Sequence, residues 1–265
     1  MRIALTCLSA FTLAACSASD TSETDVSTGP VEPAAHIVAA VNDPGRPESQ
    51  TERDAGRHPA EMLTFVGVQP GWRVADLGAG SGYYSRILSG AVGAEGEVIA
   101  ENMDWIVERF PNADEAITAL AAERDNVTRL VSPVSGILDD YNNELDAAMM
   151  VLIYHDQAWE QEGFPAPTRE DRIAMNRSIY NALRPGGVYL VVDHRAEPGT
   201  GDSVVGDYHR IDEAFVREEI EAVGFELAAE SDLLANPDDS LTVSVFDPSI
   251  RGNTDRFVLL YRKPL

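Results

Sequence analysis

Residues 74–84 hold three glycines at every second position, Gly78, Gly80 and Gly82, after an apolar run (Val74, Ala75, Leu77) interrupted by one acid, Asp76. Such a run suits a strand buried on both faces of a parallel sheet. The glycines let the chain turn and pass close to a ligand with no Cβ in the way. Asp76 then falls at the carboxyl end of the strand, where open α/β sheets bind their ligands. The spacing also selects among ligands. A dinucleotide loop needs a third glycine where Tyr83 stands, and a phosphate-cradling loop ends in Gly-Lys-Ser/Thr, yet no lysine follows Gly82. NAD and ATP are therefore disfavoured. A second strand, Gly96 to Glu101, places an acid 19 residues beyond Gly82, the separation at which a carboxylate accepts hydrogen bonds from ribose hydroxyls.

The D-x-G-x-G-x-G pattern of Asp76 to Gly82 resembles motif I of the class I S-adenosylmethionine-dependent methyltransferases. The resemblance implies that Gly78, Ala79, Gly80 and Gly82, with Tyr83, wrap the methionine moiety of S-adenosylmethionine, and that Asp76 helps hold its ammonium end. Glu101, followed by Asn102, is then the ribose-binding candidate. It also implies the fold, an α/β Rossmann-like seven-stranded methyltransferase sandwich, mostly parallel with an antiparallel last strand. The Leu183-Arg184-Pro185-Gly186-Gly187 turn is typical of that fold, and the segments 53–59 and 246–252 look closest to a bacterial group of exported methyltransferases. One departure is that Ser132-Pro133 stands where many relatives carry an acid for the adenine amine.

Methyl transfer is an in-line displacement, so a protein need only align nucleophile and methyl group, exclude water and, for some acceptors, remove a proton. A base should project from the strand ends that face the cofactor. Tyr154, His155 and Asp156 follow one long apolar run, and Asp193 and His194 follow another. His155 is the first candidate for general base, since an unperturbed imidazole titrates near pH 6.5; Asp156, His194 and Tyr154 are the other catalytic candidates. The plain alternative is a set of helix caps and carbonyl-bonded rings. No metal ligands are assigned, although Asp156, Asp193 and His194 resemble the ligand set of metal-dependent catechol-type methyltransferases with a histidine in place of asparagine, which would favour Mn, Fe or Zn over Mg. Arg53, Arg57 and His58 could form a lid and grip a carboxylate, or be a solvated ion-pair cluster.

The elements that must position these residues alternate between strand and helix. Helices are expected over 59–67, 83–89, 105–124 with an interruption at Pro111, 169–183 and 211–223 with Gly224 as the C-cap; strands over 74–77, 96–101, 127–131, 145–153, 188–192, 225–229 and 257–262. The long segment 232–255, rich in Asn, Pro, Asp and Gly, is expected to shape the substrate pocket.

The front of the chain bears on location. Arg2, the apolar stretch 3–13 and Leu13-Ala14-Ala15-Cys16 resemble a bacterial lipoprotein signal, which implies removal of residues 1–15 and a lipid on Cys16; an ordinary secretory leader is the other reading. Residues 16–45 are expected to be a disordered tether and 46–265 the folded domain, held off a membrane on its periplasmic side. With 20 basic against 44 acidic residues the net charge is −24, which repels phosphate backbones and argues against nucleic acid as a partner. The expected activity is methyl transfer to a small molecule or envelope component. The alternative is a non-catalytic module that binds a nucleoside or metabolite in the same pocket.

Overall fold

The computed structural model describes residues 32–160 and 165–265. The signal-like segment, Cys16 and the tether up to Val31 lie outside the described residues. Seven strands form one sheet in the order β3-β2-β1-β4-β5-β7-β6. They are β1 (Arg73–Leu77), β2 (Glu97–Met103), β3 (Val127–Ser132), β4 (Leu145–Val151), β5 (Leu183–His194), β6 (Glu226–Ser231) and β7 (Arg256–Arg262). β1 to β5 run parallel, and β7 lies antiparallel between β5 and β6. The expected fold class is observed.

Period-2 alternation sorts the strand side chains onto two faces. Val74, Val98, Ala147, Met149 and Leu190 enter one core, which is covered by α1 (Ala35–Val41), α3 (Pro59–Val66), α4 (Tyr83–Val92) and α6 (Pro111–Glu123). Ala75, Leu77, Ile99, Met150 and Val191 enter the other, covered by α5 (Asp104–Arg109), α7 (Arg169–Ala182), α8 (Val205–Tyr208) and α9 (Glu213–Glu221). A short α2 (Glu48–Thr51) precedes α3. Pro111 sits at the start of α6, where its missing N–H is harmless and its fixed φ suits a first turn. α3 stops at Gly67, whose left-handed φ of 79° lets its N–H close on Leu63 and Thr64 carbonyls. α9 ends two residues short of the expected helix, at the Ala222 C-cap rather than Gly224.

One boundary needs correction. The expected tether runs to residue 45, but α1 is ordered and buries Ile37 and Ala40 in the first core. Ile37 alone contributes about 1.5–3 kcal/mol by leaving water. The helix escaped sequence reading because it is seven residues long and contributes only those two buried positions. No helix among the described residues is long and apolar enough to cross a membrane.

The strand order reverses between β1 and β4: from β1 the chain builds outward through β2 and β3, then returns to the other side of β1. A crevice opens at the carboxyl ends where neighbouring connections part in opposite directions. The glycine turn lies in that crevice, and the residues after β4 and β5 face it.

Candidate functional site

Gly78, Gly80 and Gly82 all adopt left-handed φ, at 61°, 57° and 79°. Their roles differ. A Cβ on Gly78 would lie 2.7 Å from the Ile153 side chain, whereas one on Gly80 would meet nothing within 4 Å. Gly78 therefore packs the loop onto the chain leaving β4, and Gly80 presents bare backbone to open space. Both line a cavity of about 560 Å³ that also takes in Trp105, Ile153, His155 and His209, within the size range of ligand pockets. An adjoining hollow of about 570 Å³ is lined by Arg53, Arg57, Arg251 and Arg256 and shares Leu152, His194, Val245 and Phe246 with the first. Leu152 adopts φ 60° at this junction, a conformation unusual for a non-glycine residue and enriched at functional sites.

The loop is braced from beneath. Asn102 accepts from the Gly80 N–H at 2.8 Å and donates to the Gly80 carbonyl at 3.0 Å. Glu101, one pleat position away, points to the opposite face, accepting from Gly78 N–H at 3.1 Å and from Ser132 Oγ at 2.7 Å. Burial pushes the Glu101 carboxyl up to about 8, although both hydrogen bonds pull the other way. Asp76 accepts from Ser85 Oγ at 2.6 Å and is raised by burial to about 6. Asp76 and Glu101 are thus both enclosed and engaged by neighbouring protein groups, Asp76 by Ser85 of α4 and Glu101 by Gly78 of the loop and Ser132 of β3. Glu101 is fully buried and lines neither cavity. Ser132, noted in sequence only as a departure, is a brace for that carboxylate.

Tyr83 also departs from expectation. It is buried at the start of α4, its hydroxyl donates to Asp54 at 2.6 Å, and the Arg46, Arg53 and Arg57 guanidiniums surround its ring with Arg57 4.6 Å from the centroid. Arg46 in turn grips Asp54 through two bonds of 2.7 Å. Tyr83 anchors the segment before α3 instead of lining the pocket. Among the described residues, Arg53, Arg57 and Arg256 make no ion pair. Burial pulls the pKa of all three down. Arg256 is fully committed to oxygen acceptors without charge, the Gly56 and Gly252 carbonyls and Thr254. In a protein of net charge −24, one hollow is thus lined by arginines that have no carboxylate partner among the described residues.

The strand ends bring together three of the four catalytic candidates. His155 opens a short 3-10 turn after β4, and Asp193 lies one residue before the end of β5. One Asp193 oxygen accepts from the His155 backbone N–H at 2.8 Å; the other lies 2.7 Å from His155 Nδ1 and accepts from His194 N–H at 2.7 Å. This fixes the imidazole with Nε2 toward the cavity, 3.4 Å from Asp156. Burial works against charge on His155, but Asp193 and Asp156 outweigh it and push the imidazole up to about 9. The two carboxylates thus set His155 apart from an unperturbed histidine. His194 is the opposite case: burial, then the neighbouring cations, hold it well below the ordinary range, and its Nδ1 lies 2.7 Å from Thr254 Oγ1. Tyr154 is displaced from the site altogether. Its side chain is fully buried in the second core, where the hydroxyl donates to Glu219 at 3.0 Å and accepts from Asn176 at 2.9 Å.

His209 was missed. It follows α8 with φ 53°, its ring packs between Trp159 at 4.3 Å and Phe246 at 4.8 Å, and Nδ1 lies 3.6 Å from Asp156. No strand end announces it in sequence, since it sits in the excursion between β5 and α9. The segment 232–255 does shape the pocket, as expected, through Val245, Phe246 and Arg251. It is tied down by the fully buried Arg210, which pairs with Asp239 at 2.9 Å and donates to the Val243 carbonyl.

Residues 48–133 match the family of protein-L-isoaspartate(D-aspartate) O-methyltransferases, a span that ends just after β3. None of the curated proteins matches the chain in sequence. Among solved structures, a SAM-dependent methyltransferase from Aquifex aeolicus is similar, with TM-score 0.52 and 19% identity over 82% of this chain and 93% of that one. An arsenic(III) S-adenosylmethionine methyltransferase from Chlamydomonas reinhardtii gives TM-score 0.54 and 18% identity over 88% and 74%. The cyclase SpnF gives TM-score 0.56 and 17% identity over 84% and 85%, so the fold by itself does not name a reaction. The chain has the Rossmann-like, seven-stranded sandwich fold that S-adenosylmethionine-dependent methyltransferases use, and its sequence match to a methyltransferase family covers about a third of the chain, residues 48–133, including the glycine loop.

Proposed function

We propose that the protein is an S-adenosylmethionine-dependent methyltransferase acting on a small molecule or envelope component. One observation carries this reading: left-handed Gly78 and Gly80 open onto a cavity at the sheet's switch point, and that cavity joins a hollow lined by unpaired arginines. The glycine loop would hold the cofactor against its bare backbone, with Arg57 in the adjoining hollow placed to grip the amino-acid carboxylate. When bound, the cofactor supplies an electrophilic methyl group on a sulfonium. The chain's own residues orient and shield it: Trp105, Ile153 and Phe246 wall the cavity against water, and His155, Asp156, His194 and His209 face the side from which an acceptor would enter. The family match stops at Pro133, before every one of those acceptor-side residues, so an isoaspartyl acceptor does not carry over with it. Nucleic acid remains disfavoured by charge.

The test is calorimetric titration of the wild type and Arg57→Met with S-adenosylhomocysteine and with 5′-methylthioadenosine, which lacks the amino-acid end. Loss of a charge-assisted bidentate contact costs about 1.5–3 kcal/mol, so Arg57→Met should weaken S-adenosylhomocysteine at least ~10-fold while changing methylthioadenosine little. Equal weakening of both ligands would remove the assignment of Arg57. A lipid-anchored, periplasm-facing placement belongs to the same proposal and is supported by residues 1–16 alone; Cys16→Ser should release the protein from the membrane fraction, and unchanged fractionation would contradict it. The alternative of a non-catalytic binding module predicts ligand uptake with no acceptor methylated by any fraction of the envelope.

A further inference from the structure

Three side chains at the acceptor end aim at one point. His155 Nε2 lies 3.4 Å from Asp156, His209 Nδ1 lies 3.6 Å from the same carboxylate oxygen, and all three ligand atoms fall within 4.8 Å of one another. Four ligands held tetrahedrally at about 2.0–2.1 Å from a metal ion stand about 3.4 Å apart, so the two spacings to Asp156 match a coordination shell and the third is within reach of one; 3.4–3.6 Å is long for hydrogen bonds among the groups themselves. A second observation is independent of those distances. Asp193 sits 2.7 Å from His155 Nδ1 and also accepts the backbone N–H of the same residue. A metal-bound histidine characteristically gives its other ring N–H to a carboxylate that fixes tautomer and orientation. His209 is aimed just as firmly, by its left-handed backbone and by Trp159 and Phe246 against its ring.

We propose that His155 Nε2, the Asp156 carboxylate and His209 Nδ1 form a site for a divalent transition metal, with Asp193 as the positioning residue behind His155. Two imidazoles and one carboxylate select Zn(II), Fe(II) or Mn(II) over Mg(II), which prefers oxygen ligands and keeps its waters. Three protein ligands leave an open position, as catalytic sites do, and here it faces the cavity that the glycine loop floors. The site would therefore take an acceptor whose nucleophilic atom, a hydroxyl or thiol, is itself a metal ligand. The set differs from the one suggested by strand ends alone: Asp193 and His194 are spent on His155 and Thr254, and His209 completes the triad.

The test needs no cofactor or turnover, so its outcome is separable from that of the methyltransferase reading. Full-length protein stripped with a chelator is titrated with Zn(II), and anaerobically with Fe(II) and with Mn(II). The expected result is one equivalent bound with micromolar or tighter affinity for at least one of them. His209→Asn, chosen because asparagine tolerates the left-handed backbone, and Asp156→Asn should each weaken binding by ~100-fold or more, and Asp193→Asn by about 10–100-fold. His36→Gln, whose ring meets the Val68 carbonyl outside the cavity, should bind as the wild type does. Circular dichroism of each variant separates loss of ligand from loss of fold, and Asp156→Asn serves if His209→Asn does not fold. No uptake by the wild type at about 100 μM metal, or wild-type affinity in both ligand variants, would overturn the site.

Discussion

Gly78 and Gly80 share a left-handed backbone but should fail in opposite ways when given a methyl group. In each case alanine carries the left-handed conformational cost, roughly 1–2 kcal/mol. At Gly78 the new Cβ also lies 2.7 and 2.9 Å from Ile153 Cγ1 and Cγ2, and forcing a methyl into packed space adds about 1–3 kcal/mol. Gly78→Ala should therefore lose about 2–5 kcal/mol, lowering the melting temperature by about 10 °C in a chain of this size. Gly80→Ala should lose only the backbone share, yet its Cβ enters the cavity and should weaken S-adenosylhomocysteine at least ~10-fold. The pair is separable by a double-mutant cycle in urea unfolding. Truncating Ile153 to alanine in the Gly78→Ala background should recover about 1–3 kcal/mol relative to additivity, and in the Gly80→Ala background it should add without coupling. Equal stability losses in the two single variants with no coupling to Ile153, or undiminished ligand affinity in Gly80→Ala, would refute the division of labour.

Three other substitutions probe the braces. Because burial raises Glu101 to about 8 from its ordinary 4.5, its contribution to stability is full below pH 4.5 and is lost as pH rises through 8; relative to Glu101→Gln, the wild type should lose up to about 5 kcal/mol of unfolding free energy between pH 4.5 and pH 8.5, and parallel pH curves would contradict this. Asp239→Ala leaves the fully buried Arg210 without its partner and should cost about 3–5 kcal/mol in urea unfolding, with a loss under ~1 kcal/mol counting against the buried-pair account. Tyr154→Phe removes a hydroxyl bonded to Glu219 and Asn176 and should cost about 1–3 kcal/mol of stability while leaving ligand affinity unchanged; the reverse pattern would return Tyr154 to the site.

The sheet and the glycine loop were legible because both rest on local rules. Continuous apolar runs mark strands buried on two faces, and left-handed turns demand glycine whatever surrounds them. Strand ends are legible too, which is why His155, Asp156 and His194 stand out in the sequence as candidates. What sequence could not say is which way a side chain points once it is there. Glu101 and Asn102 are neighbours in the chain but face opposite sides of the sheet, and a shift of one position exchanges their roles. Tyr154 and His155 are likewise adjacent, one turned into the core and the other toward the cavity. His209 lay beyond reach because its place is set by a contact across more than fifty residues with Asp156, for which no periodicity exists.

The central claim is that the glycine-floored cavity is built for S-adenosylmethionine. Isothermal titration of the purified protein with S-adenosylmethionine and S-adenosylhomocysteine, alongside NAD and ATP, tests it most directly. The account predicts saturable one-to-one binding of the first two and none of the others. Flat titrations with both sulfur nucleosides, or binding of NAD in their place, would contradict it.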